Sequence, residues 1–250
     1  MEYKQSSISE ILESEEQMVL QGLERYGAFY SNTSELANLL GSGMLKSIDP
    51  DRFVFAMFFS QVKKHLMLAL FSALRLHKVQ TMMNLRQVLE AGACASYAIA
   101  NVNPADFADT RDDGTLNPNQ GFSKRRYEWL EANFPAGSNA IKSMKDTLNE
   151  IGTHSNIVMA QQNYEFDAEL KIFKMPFFDF EDEFWVKTDL WQTGNVALGI
   201  MDLFFGVNQA FGVIKLKDDW LDKFQSLAEE NQRLKTEMLA HDRMRKFVDQ

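Results

Sequence analysis

The stretch Phe53 to Leu74, FVFAMFFSQVKKHLMLALFSAL, decides the fold class. It is apolar at both ends and nearly all round, the pattern of a helix buried at the centre of a protein rather than lying on its surface. Lys63, Lys64 and His65 stand at its middle. At a bilayer centre each Lys would cost ~2.5–3.5 kcal/mol, so the reading is a core helix and not a membrane span. Val196 to Ile214 is interrupted by Asp202, Asn208 and Gln209 and reads the same way. Upstream, Asp49-Pro50 gives an N-cap followed by a residue with no N–H to leave unpaired, so this central helix is expected from Pro50 to about Leu76.

The flanking sequence extends the pattern. Ile8, Ile11, Leu12, Val19, Leu23, Tyr26 and Tyr30 form a stripe at helical spacing. Ser7 and Glu10 have the spacing of a capping box, and Gly41-Ser42-Gly43 closes the region. A third helix is expected over about Val79–Ala100, ending before Asn103-Pro104. Residues 103–121, rich in Asn, Asp, Pro and Gly, read as a solvated loop. Asp109 to Gly114 has a calcium-loop look, but Arg111 and Gln120 stand where carboxylates are needed. Helices follow over about Ser123–Asn133 and Gly137–His154. Tyr164, Phe166, Leu170 and Ile172 alternate as a small hairpin turning near Asp167-Ala168. Glu181–Ile214 is a long helix with Gly199, Asp202, Gly206 and Ala210 on one side, where a neighbour could approach closely.

The expected fold is mainly α. It is a single bundle of about six or seven helices with a β-hairpin near 160–175 and a long C-terminal helix. Residues 1–217 form the bundle, and 218–250 a projecting helix. In that helix Trp220, Leu227, Leu234 and His241 take heptad d positions, and Phe224, Asn231, Met238 and Arg245 the a positions. An Asn at a fixes register in a two-stranded seam. A homodimer through Phe224, Leu227, Asn231, Leu234 and Met238 is therefore expected, with packing inside the chain as the alternative.

The 250 residues carry a net charge of −9, which argues against wholesale electrostatic binding to nucleic acid or an anionic membrane. One cysteine excludes an intrachain disulfide and a cysteine zinc cluster. The polar N-terminus lacks a signal-peptide layout, so a cytoplasmic location without membrane contact is expected.

Neither a phosphate-cradling glycine loop nor a nucleophile elbow is present, and no cofactor is expected. Cys94, in an apolar helix segment without an adjacent base, reads as a core residue. None of His65, His77, His154 and His241 has Glu three residues before it, so no di-metal site is expected. Arg86 and Glu90, one turn apart on the third helix, read as a buried ion pair or, functionally, as an anion clamp with Arg86 at its centre. In Leu148-Asn149-Glu150-Ile151-Gly152-Thr153-His154 the histidine closes a helix as a C-terminal cap or a general acid–base.

A helical bundle with an Arg-Glu turn on one helix and polar-x4-His at the end of a later one resembles the HEPN superfamily (higher eukaryotes and prokaryotes nucleotide-binding), in its divergent bacterial branches. The resemblance covers about Asp51 to Met159. It implies a four- or five-helix bundle, often dimeric. It also implies metal-independent endoribonuclease activity in a toxin–antitoxin or defence setting. The family's hallmark is Arg followed four to six residues later by His. His154 matches the histidine, Asn149 stands where the arginine would, and Arg86 is the substitute if its helix comes alongside. A degenerate or inactive member fits this departure.

Lys124-Arg125-Arg126, before Tyr127 and Trp129, offers phosphate contacts beside aromatic rings, or simply a solvated face. Phe177, Phe178, Phe180, Phe184 and Trp185 read as core between hairpin and helix, or as a pocket lining. Two functions follow. One is a HEPN-like protein acting on or near RNA. The other is a non-enzymatic helical interaction module that dimerises through its last helix and binds a protein partner or a small apolar ligand.

Overall fold

The computed structural model describes residues 7–152, 161, 164–167, 169 and 172–244. The chain is mainly helical with small antiparallel strand pairs. Its helices are α1 (Ile8–Leu20), α2 (Gly22–Tyr26), α3 (Ala28–Asn38), α4 (Phe53–Leu74), α5 (Lys78–Ala100), α6 (Phe122–Asn133), α7 (Pro135–Gly152), α8 (Glu183–Phe211) and α9 (Trp220–Leu239). The strands are β1 (Leu45–Ile48), β2 (Ala108–Thr110), β3 (Leu116–Pro118), β4 (Glu165–Asp167), β5 (Ile172–Lys174) and β6 (Ile214–Leu216).

Local chemistry sets the element ends. Ser7 and Glu10 form both halves of the capping box, the Glu10 N–H donating to Ser7 Oγ at 3.2 Å and the Ser7 N–H to Glu10 Oε2 at 2.7 Å. The first helical region is broken where the stripe predicts continuity. Gly27 adopts φ +52, closed to most side chains, and splits α2 from α3. Asp49 accepts from the Asp51 N–H, and Pro50 opens a 3-10 turn that leads into α4.

α4 and α5 lie side by side, antiparallel because only three residues join them. Val54, Phe55, Phe59, Val62, Leu66, Leu70 and Leu74 of α4 are buried, as are Leu85, Val88, Leu89 and Ala93 of α5. Fully burying each large side chain contributes roughly 1.5–3 kcal/mol. Among the described residues, Pro50–Leu74 is long and apolar enough to cross a membrane, yet here its buried side supplies the core. α8 crosses α3, α4, α5 and α7. Of the small-residue side expected on α8, only Gly199 meets a neighbour, Met144 of α7; Asp202 and Ala210 are exposed and Gly206 faces open space. The close approach of α5 to α8 is at Gly92 instead, where a Cβ would collide with Ile200.

β1 and β6 pair antiparallel, with Ile48 opposite Ile214, and tie the end of α3 to the α8–α9 link. Two short hairpins complete the chain. β2–β3 lies inside the segment expected to be loop, with Asp109 opposite Asn117, and Gly114 at φ +80 in its turn. β4–β5 pairs Phe166 with Phe173 and closes at Asp167 and Ile172, where the alternation predicts a hairpin.

The last helix does not project from the bundle, which corrects that part of the expectation. α9 lies against α3 and α8 of its own chain. Trp220, Asn231, Leu234 and Met238 are buried, while Phe224 and Leu227 pack on the core beside them. Asn231 accepts from Asn32 Nδ2 at 3.2 Å, and its carbonyl accepts from Trp191 Nε1 at 3.0 Å. The seam residues match the buried side, but what they pack against is internal. An apolar stripe of this width fills a groove between two helices as readily as it pairs with a copy of itself. His241 is exposed, and Arg245 lies outside the described residues.

Candidate functional site

Three helices bring the polar side chains of the Arg86 region together. On α5, Arg86, Glu90 and Cys94 recur every four residues and share a face. On α7, Lys145 and Asn149 are likewise one turn apart. α6 crosses both and supplies Arg126 and Tyr127. Leu130, Ile141 and Leu148 are buried and hold α6 and α7 in the core.

Arg86 and Glu90 do not pair. Glu90 binds Arg126 through one oxygen and Lys145 through the other, and Tyr127 Oη donates to it at 3.0 Å. Lys145 also donates to Tyr127 Oη at 3.0 Å and lies 4.7 Å from the ring centroid. The Arg126 guanidinium donates to Cys94 Sγ and stands 4.8 Å from the Tyr127 ring centroid. Arg126 Nε is buried with no hydrogen-bond partner among the described residues. Arg86 instead donates from Nη1 to Asn149 Oδ1 at 2.9 Å. Two rungs thus bridge α5 and α7, Arg86–Asn149 and Glu90–Lys145.

Burial by itself would raise the Glu90 carboxyl, but the Lys145 hydrogen bond, the charges of Arg126 and Lys145 and the Tyr127 hydroxyl outweigh it and hold it below its ordinary value. The same contacts reverse the effect of burial on Lys145 and Arg126, whose values rise. Burial pushes the Tyr127 hydroxyl and the Cys94 thiol up, so both keep their protons at neutral pH. Three cations, Arg86, Arg126 and Lys145, face a single carboxylate. The cluster is locally positive in a chain of net charge −9.

The predicted site residues fall into three groups. Arg86, Glu90 and Asn149 are brought together, with Arg86 on Asn149 and Glu90 on α6 and α7. His154 lies outside the described residues, five positions after Asn149. The basic triplet is divided. Lys124 and Arg125 are exposed, Lys124 pairing with Glu128 at 3.6 Å and Arg125 donating to the Asp106 carbonyl at 3.1 Å. Arg126 is buried, which corrects its reading as a nucleic-acid contact. It lies four residues from both Phe122 and Leu130, so the apolar face of α6 carries it inward. Lys145 was missed, although it precedes Asn149 by one turn. Cys94 is a core residue that also serves as an acceptor for Arg126.

The aromatic group near α8 is packed as core only in part. Phe177, Phe180 and Trp185 are exposed; Phe178 is partly buried and, with Phe177, flanks His77. No protein-family model, curated protein or solved structure matches this chain.

Proposed function

We propose that this protein is a HEPN-like helical protein acting on or near RNA, with Arg86 as its phosphate-binding group and His154 as its acid–base. The observation that supports this reading is the state of Arg86. Its guanidinium is half-buried, its partner is the neutral amide of Asn149, and among the described residues it has no carboxylate. A structural arginine in this cluster would take Glu90, as Arg126 does. A guanidinium oriented by an amide keeps its charge and several N–H donors for a planar or tetrahedral oxyanion. Asn149 stands five residues before His154, which links this cation to the histidine by sequence.

The test is turnover and binding of labelled single-stranded and structured RNA by the purified chain. His154→Ala is expected to abolish cleavage and spare binding, because general acid–base help is typically worth 10²–10⁴-fold. Arg86→Ala is expected to weaken binding and to flatten its salt dependence by about 0.7 in log–log slope, the loss of one phosphate contact. Binding without turnover identifies a degenerate member. No binding overturns the reading.

The second reading, a protein-interaction module, is favoured by α1. That helix buries no residue, and Ile8, Leu12 and Leu20 are exposed on it. A homodimer, if formed, would then use such a face rather than the α9 seam. Light scattering of the full chain beside a Leu12→Asp, Leu20→Asp variant tests that.

A further inference from the structure

The segment between β5 and α8 crosses the corner where α4 turns into α5 and leaves a pocket of about 340 Å³. That lies at the small end of ligand cavities, which run ~300–1,000 Å³. Leu76 and Val186 form its apolar wall, and Phe180 and Trp185 its half-exposed aromatic rim. Leu76 sits there at φ +57, a costly conformation for a branched side chain, and its carbonyl accepts from the Asp179 N–H at 2.9 Å.

The polar groups carry the argument. Asp189 lines the pocket and is only 6% exposed. One of its oxygens accepts from Lys78 Nζ at 3.0 Å; the other has no hydrogen-bond partner among the described residues. That second oxygen is not sealed inside the protein but opens to the cavity, where it is an acceptor that a donor entering the pocket can use. Two more carboxylates stand at the rim. Asp179 accepts from the Lys78 N–H at 2.7 Å, and Asp182 from the Phe184 N–H at 3.1 Å, so each is fixed in place by a helix start. Arg243 pairs with Asp182. The pocket therefore keeps a negative balance that repels phosphates and carboxylates.

Lys78 shows what the pocket accommodates. Its ammonium rests against Asp189 and 5.4 Å from the Trp185 ring centroid, a carboxylate on one side and a π face on the other. No group of three metal-ligating side chains is gathered among the described residues, so the negative balance does not point to a metal ion. We propose that this pocket binds a small organic cation, an alkyl- or arylalkylammonium. Its ammonium donates to the open Asp189 oxygen, and its hydrocarbon lies against Trp185 and Phe180. The site is independent of the Arg86 cluster, which begins two turns, ~12 Å, further along α5.

The test is calorimetric titration of the full chain with phenethylammonium, and with 2-phenylethanol as its uncharged counterpart. The ammonium is expected to bind, and the alcohol roughly tenfold or more weakly, since the charged hydrogen bond is lost. Trp185→Leu, a half-exposed position, is expected to weaken the ammonium roughly fivefold. Asp189→Asn should abolish binding. Lys78→Met removes the resident ammonium and should tighten binding, with circular dichroism confirming that each variant is folded. Equal binding of alcohol and ammonium overturns the proposal in favour of a merely apolar cavity. Affinity unchanged in Asp189→Asn and Trp185→Leu places the cation elsewhere on this acidic chain and also overturns it. So does an absence of binding in both the natural chain and Lys78→Met.

Discussion

Glu90 and Asp189 are both carboxylates packed against α5, and burial acts on both, yet they end on opposite sides of the ordinary carboxylate range. Glu90 keeps two cations and a phenol, and is held low. Asp189 is more deeply buried, which pushes it up, and Lys78 brings it only part of the way back. The nearby Asp179 adds to the rise. The number of donors delivered to the carboxylate, not burial alone, decides the outcome. The Glu90 carboxylate has donors on both oxygens, and its contacts lock three helices together. Asp189 has one protein donor among the described residues and a second oxygen open to the cavity.

The largest effect that could break this contrast is at Glu90. Glu90→Ala leaves Arg126 buried without a carboxylate and Lys145 without its partner. The expected loss is about 3–5 kcal/mol in a denaturant melt. A loss below about 1 kcal/mol would mean that the cations simply reach water.

The Asp189 pair should behave differently under double replacement. Lys78→Met with Asp189→Leu removes this charge pair and fills the same space. Stability is expected to be unchanged or higher by about 1–4 kcal/mol. A clear loss in the same melts would show that this pair is net favourable and would erase the distinction from Glu90.

Acid sharpens the comparison. Glu90 is depressed, so its contribution is complete above its ordinary value of 4.5 and is lost as pH falls through its lower folded value. Asp189 is raised from 3.8, so the native state holds its proton more tightly than the unfolded chain does. Ionising it in the folded chain costs stability, and that cost disappears as pH falls through its folded value. In melts from about pH 7 to about pH 3.5, Glu90→Gln should flatten the acid loss and Asp189→Asn should steepen it. The same slope in both variants would contradict the opposite shifts.

The smallest effect is expected on the exposed side of α6. Lys124→Ala with Arg125→Ala should change stability by no more than about 0.5 kcal/mol. Replacing Arg126, the next residue on the same helix but turned inward, should be far more damaging. Equal melts for the two variants would mean that Arg126 is not buried in solution.

The site was legible in part. Arg86 and Glu90 stand out because charged residues at helical spacing among apolar ones must point toward something, and Asn149 because it lies five residues before His154. What they point toward is a property of helix crossing. Nothing in the local sequence distinguishes Arg86 beside Glu90, one turn away, from Arg86 beside Asn149, 63 residues away. Arg126 shows the reverse failure. Reading the triplet as a unit hid the fact that its third member shares the face of Phe122 and Leu130, a spacing present in the sequence. The β2–β3 hairpin was missed because three-residue strands carry too little alternation to separate from a turn-rich loop.

Periodicity and caps are local quantities, and the sequence by itself determined what depends on them. These are the central helix from Phe53 to Leu74, the Ser7 and Asp49 starts, and the faces of α5 and α9 that turn inward. Only the tertiary structure decided what covers each face. The α9 seam meets α3 and α8 of its own chain, Asn231 meets Asn32, and Glu90 meets Arg126 and Lys145. The physical reason is that an apolar stripe or a buried charge states a need without naming what satisfies it. The partner is selected by the long-range packing of whole helices, where the close approach at Gly92 and Ile200 sets which side chains come within reach.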